Sequence, residues 1–502
     1  MWTKEDLQRL VRREVGDCRL IVVSNRQPYV FEMVDGILEN MSPPGGLTRA
    51  IDPLMQSCNG TWIAEGAGDH FPVDERGNVG VPPEDPSYNM RLVWLTEKEE
   101  QGYYYGFSNE GLWPLCHNAF TEPVFNVDDW ETYKAVNQKF ADTVLNEIGS
   151  SDAIVLTQDY HLALLPRLIK QTKPNVITGQ FWHIPWPSPD VFRICPWQNE
   201  LLDGLLGNDL MGFHLSNDCT NFVETVSRTL RARVSSEYNI VDYLNETTLI
   251  RPFPISVDFE QICEEAQGSD VNLEMERLTD ELGLGDMIVG LGIDRIDYTK
   301  GIPHRLRAIE RFLEKHPEYH QRVVFVQAGA ASRTNIGAYQ QLSDQLDELI
   351  QRINSRFSKG RWQPIIYMPT SLPSATFMAL RRLARFCIVS SLHDGMNLVA
   401  KEFVASRFDD DGVLILSPFT GAAQELTEAL IVNPYATEEF ADAIHESVTM
   451  PEYDRRSRMH HMREIVRENN IYKWTSRLLL ELMQGTQRTK ALQRDHLTAP
   501  NR

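Results

Sequence analysis

The chain has 502 residues, 42% of them hydrophobic, which suits two domains of the usual ~100–200 residues, each with its own core. Against 49 Lys and Arg stand 70 Asp and Glu, and a formal net charge of -21 excludes a general binder of nucleic acid or of anionic membranes. Seven scattered cysteines with no C-x-x-C pair exclude a disulfide framework and a zinc knuckle, and no apolar run approaches the ~20 residues of a membrane span.

Residues 1–18 read as an N-terminal helical extension. Met1 to Val15 is charged throughout, unlike a signal peptide, with Thr3 as N-cap and Leu7, Leu10 and Val11 at helical spacing. The cytoplasm is the default location. Short β-branched runs then alternate with helical patterns, the signature of α/β units around parallel sheets. RLIVVS (19–24) is the first strand, and its loop carries Arg26. PPGGLTRAI follows, where Gly45 and Gly46 would let backbone approach a ligand just before a helix. GYYYGFSNEGLWPLCH places Tyr104 and Trp113 in an aromatic cluster whose O–H and N–H groups can donate to an anionic oxygen, although packing explains such aromatics equally well.

AIVLTQ (153–158) precedes Asp159 and His161, and VITGQFW (176–182) precedes His183. Polar residues at strand carboxyl ends stand where open α/β sheets bind ligands, with a satisfied structural histidine as the plain alternative. DLMGFH (209–214) and TLIRPFPI (248–255) complete a first domain, and the chain breaks between Pro254 and Gly268. The second domain predicts strands at 287–293, 322–329, 364–369, 386–391 and 412–417. GIDRIDYTKG holds Arg295 and Lys300 on one loop, a pair suited to a leaving diphosphate, or else neutralised by Asp294 and Asp297. In SLHDGMNLVAKEFVAS, Asp394 reads as an N-cap, with Gly395, Met396, Asn397 and Leu398 opening a helix whose free N–H groups suit an anion. Glu402 follows at a position able to accept from ribose hydroxyls. The Asp409–Asp411 run reads as a solvated loop, and SRFSKGRWQP as a solvated helix end. NIYKWTSRLLLELMQ is a strongly amphipathic C-terminal helix, and 485–502 reads as a disordered tail. The pattern is α/β throughout, with two doubly wound Rossmann-like domains facing a cleft.

Taken together and in order, SNR with GGL, GFSNEGLWPLCH, QDYHL, HIPWPSPDVF, DRIDYTKG, ASR, HDGMNLVAKEFVA and GAAQELTEALIVNPY resemble the trehalose-6-phosphate synthase family from Arg19 to about Gln484. The resemblance implies a retaining glycosyltransferase of the GT-B fold that needs no cofactor or metal. Residues 19–258 would form its acceptor-binding domain, and 259–484 its nucleotide-sugar-binding domain, with the C-terminal helix crossing back. It implies a nucleotide-diphosphate glucose donor and glucose 6-phosphate as acceptor, or glycerol 3-phosphate as in the sister glucosylglycerol-phosphate synthases.

Position by position, the resemblance puts Arg26, Tyr104, Trp113 and Arg333 at the acceptor phosphate and Gly46 on a loop over the donor. It puts Asp159 and His183 on the reacting sugars and Arg295 and Lys300 on the donor diphosphate. Asp394 with Gly395 to Leu398 would meet the donor sugar and phosphate, and Glu402 the ribose. Gln158, His393 and Ser256 depart from the family pattern. A separate phosphatase would act on the product, since no D-x-D-x-T motif occurs, and a homo-oligomer stays open. A catalytically silent sugar-phosphate sensor is the reading from another class, opposed by the full set of donor ligands.

Overall fold

The structure, a computed structural model, describes the chain except residues 17, 35–36, 42–45, 59, 67–72, 75–76, 84, 236–238 and 499–502; the side chains of 31–50 and of 487 onward also lie outside the description. The chain divides into two compact units, one formed by Trp2–Ile255 with the chain from Ile471, the other by Ser256–Asn470.

The first unit opens on the helix Lys4–Glu14, where Thr3 caps the N-terminus in a reciprocal pair with Asp6 and Leu7, Leu10 and Val11 are buried. Its strands are β1 (Arg19–Ser24), β2 (Val30–Val34), β3 (Ile37–Met41), β4 (Thr61–Glu65), β5 (Asn78–Val81), β6 (Tyr88–Val93), β7 (Ala153–Gln158), β8 (Ile177–Phe181), β9 (Leu210–Phe213), β10 (Arg233–Ser235), β11 (Ile240–Tyr243) and β12 (Glu246–Pro252). Ten of them form one sheet in the order β10-β11-β12-β9-β8-β7-β1-β4-β6-β5, and β2 and β3 pair as a separate hairpin. From β12 to β6 every pairing is parallel, while β10, β11 and β5 add antiparallel edges. β7 is buried at every position, as a strand covered on both faces must be. The chain leaves β1 toward β4 and returns through β7 on its other side, so the point where the winding reverses lies between β1 and β7.

The second unit holds β13 (Ile288–Ile293), β14 (Val323–Ala328), β15 (Ile365–Met368), β16 (Phe386–Val389), β17 (Val413–Leu416) and β18 (Leu430–Ile431). They form an all-parallel sheet in the order β15-β14-β13-β16-β17-β18, reversing between β13 and β16. Leu306, Ile309, Phe312, Leu346 and Ile353 pack its helices into the core.

One segment left unassigned by the sequence takes a definite form, and two expectations are corrected. The aromatic segment is a wide helix, Gln101–Leu112, in which the Trp113 N–H donates to Ser108 O five residues back, running on into Trp113–His117. Gly102 and Gly106 let it lie against the helix Val127–Ile148: a Cβ on Gly106 would stand 2.5 Å from Asp129 Cγ. The last helix, Ile471–Thr498, continues through the segment expected to be disordered, because helix formers such as Lys490, Ala491, Leu492 and Gln493 follow Gly485 without a breaker. In this helix Trp474 Nε1 donates to Phe253 O at 3.0 Å and Glu481 pairs with Arg251 at 2.9 Å, so it belongs to the first unit. The three aspartates 409–411 are not simply solvated, since Arg407, Arg463 and Arg455 pair with Asp409, Asp410 and Asp411 at 3.1, 2.8 and 2.7 Å. Among the described residues no helix is long and apolar enough to cross a membrane, and all seven cysteines are free thiols.

Candidate active site

In the first unit the candidate residues gather at the carboxyl ends of β1, β7 and β8. β1 ends at Ser24, whose Oγ donates to Arg26 O at 2.6 Å and so folds the loop that carries Arg26. The Arg26 guanidinium is exposed and donates to Tyr104 Oη at 3.3 Å. Tyr104 stacks on His161, 5.6 Å between ring centres. His161 stacks on Tyr160 at 4.0 Å, and Tyr160 lies 6.0 Å from Trp113. The sequence-predicted Arg26, Tyr104 and Trp113 are thus joined through aromatic rings contributed by the β7 loop. Gly46 begins the helix Gly46–Gln56, while Gly45 and the prolines before it lie outside the described residues.

Asp159 follows β7 with φ +70°, a conformation that non-glycine residues adopt only where their surroundings hold them. Here the restraint is visible. Asp159 Oδ1 accepts from the N–H of Tyr160 at 3.0 Å and of His183 at 3.2 Å, and Gln180 Nε2 donates to Asp159 O at 2.9 Å. His183, on the loop after β8, has Nε2 at 2.8 Å from Gln158 Oε1. Burial, with His214 and His161 nearby, pushes its pKa well down, so the ring is neutral. A neutral ring donating through Nε2 to Gln158 leaves Nδ1 as the acceptor nitrogen. Gln158, one of the positions that departs from the family pattern, is therefore a tautomer-setting partner of a candidate residue. Asp218 anchors the same loop by accepting from Trp186 N at 3.1 Å.

Glu65 ends β4 in the same unit. Burial foremost, helped by Glu100 and opposed by Asn25 and Arg26, raises its pKa to about 7. Its native pKa lies above the value of 4.5 expected on unfolding, so stability contributed by its neutral form is present below 4.5 and is lost as pH rises to about 7. Glu65→Gln is expected to raise the melting temperature over wild type at pH 8 and to leave it unchanged near pH 4.5. An equal difference at both pH values would remove Glu65 from this role.

In the second unit the sites of interest end β13 and β16. The loop after β13 turns through Asp294 and Arg295 to Lys300 and Gly301, which at φ +63° opens the helix Ile302–Lys315. A Cβ on Gly301 would meet Ser390 O at 2.2 Å, so only glycine allows the two loops to approach this closely. Lys300 Nζ meets Asp394 Oδ2 at 2.5 Å, and the same oxygen accepts from Ser391 Oγ and Asn397 Nδ2, both at 3.1 Å.

Asp394 is not the N-cap that the sequence suggested. That position belongs to Asn397, at φ +81°, whose Oδ1 accepts from Ala400 N at 3.1 Å, and the helix runs from Leu398 to Ser406. Asp394 instead bridges to the chain beyond β17: its N–H donates to Phe419 O at 3.0 Å and its carbonyl accepts from Gly421 N at 3.2 Å. Asparagine tolerates left-handed φ better than most residues. Gly395 and Met396 accordingly precede the helix rather than forming its first turn. Glu402, five residues beyond the cap, is ~7.5 Å along the axis and hydrogen-bonded to Arg381.

Arg305 lies beneath this loop, wholly buried. It donates to Asp294 Oδ2 at 2.7 Å, Gln327 Oε1 at 2.9 Å and Ser390 Oγ at 3.0 Å. Ser390 Oγ in turn donates to the carbonyls of Lys300 and Gly301 at 3.0 and 3.2 Å. Sequence reasoning missed Arg305, although it falls on the apolar stripe of Ile302, Leu306 and Ile309, which marks the buried face. Arg333, expected with Arg26, Tyr104 and Trp113, belongs to the second unit, where it donates to Tyr339 Oη at 2.5 Å and lies 3.6 Å from Asp297 Oδ2. Burial opposes ionisation of Asp297, but Arg333, Arg295 and Lys300 outweigh it and hold its pKa below the ordinary value.

Two doubly wound, mainly parallel sheets, each with polar loops at its switch point, make the GT-B glycosyltransferase fold that this chain shares with solved structures. The model of glycosyltransferase family 20 matches residues 18–484, and the chain belongs to that family. It is 37% identical over 87% of its length to the UDP-forming alpha,alpha-trehalose-phosphate synthase of Candida albicans, covering 91% of that protein. It is also 37% identical to a bifunctional trehalose-6-phosphate synthase/phosphatase of Thermoproteus tenax, matching over 93% of this chain but spanning only 63% of that longer protein. A solved E. coli structure bound with UDP-2-fluoro glucose is 32% identical with a TM-score of 0.83, covering 93% of this chain and 99% of that one. A Burkholderia xenovorans alpha,alpha-trehalose-phosphate synthase in complex with glucose-6-phosphate is 30% identical with a TM-score of 0.82, covering 92% and 100%.

Proposed function

We propose that this glycosyltransferase moves glucose, with retention, from a nucleotide-diphosphate glucose to glucose 6-phosphate, giving trehalose 6-phosphate. The observation that carries the reading is the Lys300–Asp394 contact at the switch point of the second sheet. A compact cation at that point suits the negative charge that grows as a diphosphate departs, and the carboxylate beside it suits sugar hydroxyls. Until the donor arrives, Asp394 neutralises Lys300 and keeps it aimed.

In this reading Arg295 and Lys300 grip the donor diphosphate, and Glu402, oriented by Arg381, accepts from the ribose. Gly395 to Leu398 offer backbone N–H groups around the helix end capped by Asn397. Gly46 takes a donor-binding role by the family resemblance. Arg26, Tyr104 and Trp113 bind the acceptor phosphate, a role that the family resemblance also assigns to Arg333, and Asp159 and His183 orient the sugars. The bond from the anomeric carbon to the diphosphate oxygen breaks as the acceptor hydroxyl oxygen bonds to that carbon on the same face. The hydroxyl proton passes to the departing phosphate oxygen, so no enzymic nucleophile is required. The neutral His183 contributes hydrogen bonds rather than charge.

The test offers the purified chain a glucose-labelled nucleotide sugar with glucose 6-phosphate or glycerol 3-phosphate. A labelled disaccharide phosphate from glucose 6-phosphate supports the reading. A product from glycerol 3-phosphate alone replaces it with the sister activity, and donor binding without nucleotide release replaces it with a silent sensor. Varying the base of the donor in the same assay defines the nucleotide.

A further inference from the structure

We propose that His316, Glu318 and His445 form a binding site for a transition-metal dication of the zinc class, on the second unit and separate from sugar transfer. Their candidate ligand atoms all lie within 4.8 Å of one another. A tetrahedral ion with ligands at ~2.0–2.1 Å requires spacings of about 3.3 Å, so side-chain rotation alone brings them into range. Two imidazoles and a carboxylate, leaving one position for water, match the donor preference of Zn²⁺ and its neighbours rather than of Mg²⁺ or Ca²⁺.

Three backbone elements supply the ligands. His316 immediately follows the helix Ile302–Lys315, and its N–H donates to Phe312 O at 2.9 Å. Glu318 lies in the turn Pro317–Tyr319, with Oε1 at 3.3 Å from His316 Nδ1. His445 projects from the helix Thr437–Thr449. The two imidazoles are parallel to within 1°, with centres 3.8 Å apart. The ring-plane lone pairs of such a stacked pair run parallel, so binding one ion requires the two rings to turn out of their stack, which their short separation allows.

Aromatic neighbours flank the pair: Phe312 lies 5.5 Å from His316 and Tyr319 5.8 Å from His445. Loading tilts the rings about their Cβ–Cγ bonds until the lone pairs converge, and the exposed Glu318 follows. Lys315 is the adjacent cation, but it is bonded to Asp442 and lies 3.4 Å from Glu438, so its charge is already matched. An ion here would tie the end of the helix that begins beside Lys300 to the helix Thr437–Thr449. The sequence carries no sign of this, since neither HPE nor AIHES has metal-ligand spacing.

The test titrates the metal-free full chain with ZnCl₂, and with CoCl₂ as a spectroscopic stand-in. Wild type is expected to take up one equivalent, to develop the visible absorption of a low-coordinate cobalt site, and to melt at a higher temperature with zinc in a manner reversed by EDTA. His316→Gln and His445→Gln are expected to lose all three responses while melting like wild type without metal. Glu318→Gln, at an exposed position that cannot unfold the chain, is expected to weaken zinc binding at least tenfold. Uptake in the histidine variants equal to wild type, the same affinity in Glu318→Gln, or no stoichiometric uptake by wild type overturns the proposal.

Discussion

Lys300→Ala is expected to lower turnover by a factor of about 10²–10³, the scale seen when one preorganised donor to a developing negative charge is removed. The side chain is poised rather than loose. Its side chain is 13% exposed, and its approach is set by Gly301, by the Ser390 hydroxyl and by the Leu392 N–H, which donates to Thr299 O at 2.7 Å. Asp394 keeps its bonds from Ser391 and Asn397 when the ammonium is gone, so the fold should survive with a melting temperature close to wild type. Initial-rate measurements of nucleotide release, paired with thermal melts, check both halves. Turnover within a few-fold of wild type would place the diphosphate elsewhere.

Arg305→Ala should act by the opposite route, through stability first. Its guanidinium is fully buried and its partner Asp294 is 2% exposed, so truncation strands a carboxylate in the core. Removing one member of such a pair costs about 3–5 kcal/mol, a large part of the ~5–15 kcal/mol that holds a domain together. Burial already pushes the Asp294 pKa up against Arg305 and Lys300, and loss of Arg305 removes the stronger opposing charge. The fall in urea midpoint should be partly relieved in the double variant Arg305→Met, Asp294→Leu, because an apolar pair of similar volume leaves no buried charge unpaired. Turnover should stay low in the double variant, since Ser390 loses the donor that orients it beneath the Lys300 carbonyl. Full recovery of rate along with stability would show that Arg305 only fills the core.

Much of this was legible in the chain itself. The ten runs read as buried strands all lie in the two sheets, because a strand covered on both faces must be a continuous apolar run with turn residues at its ends. The residues now at the carboxyl ends of β1, β7, β8, β13 and β16 could be nominated for the same reason: they are the first polar positions after those runs. β2 to β6, β10, β11 and β18 were missed: all run only two to six residues, β5 and β10 are edge strands with little to bury, and the interior β4 and β6 are too short and too mixed with polar residues to stand out as apolar runs. The wide helix over Gln101–Leu112 could not be read, since its apolar residues match no regular period and its course follows from glycines packed on another helix. The cap at Asn397 was missed because Asp394 is an equally good capping residue by type, and only the loop path decides between them.

The amino-acid order by itself determined the α/β alternation, the strand cores, the polar loop at each strand end and the family. Those are local properties, set by runs of a few residues and the turn chemistry between them. The tertiary structure alone decided which of these groups meet: Lys300 with Asp394 across 94 residues, Arg305 with Ser390 across 85, and Trp474 with Phe253 across 221. Contacts at such separations depend on the order of strands in a sheet and on where its winding reverses. No window of the sequence contains that information, because the burial that stabilises each pairing exists only once the sheets have formed.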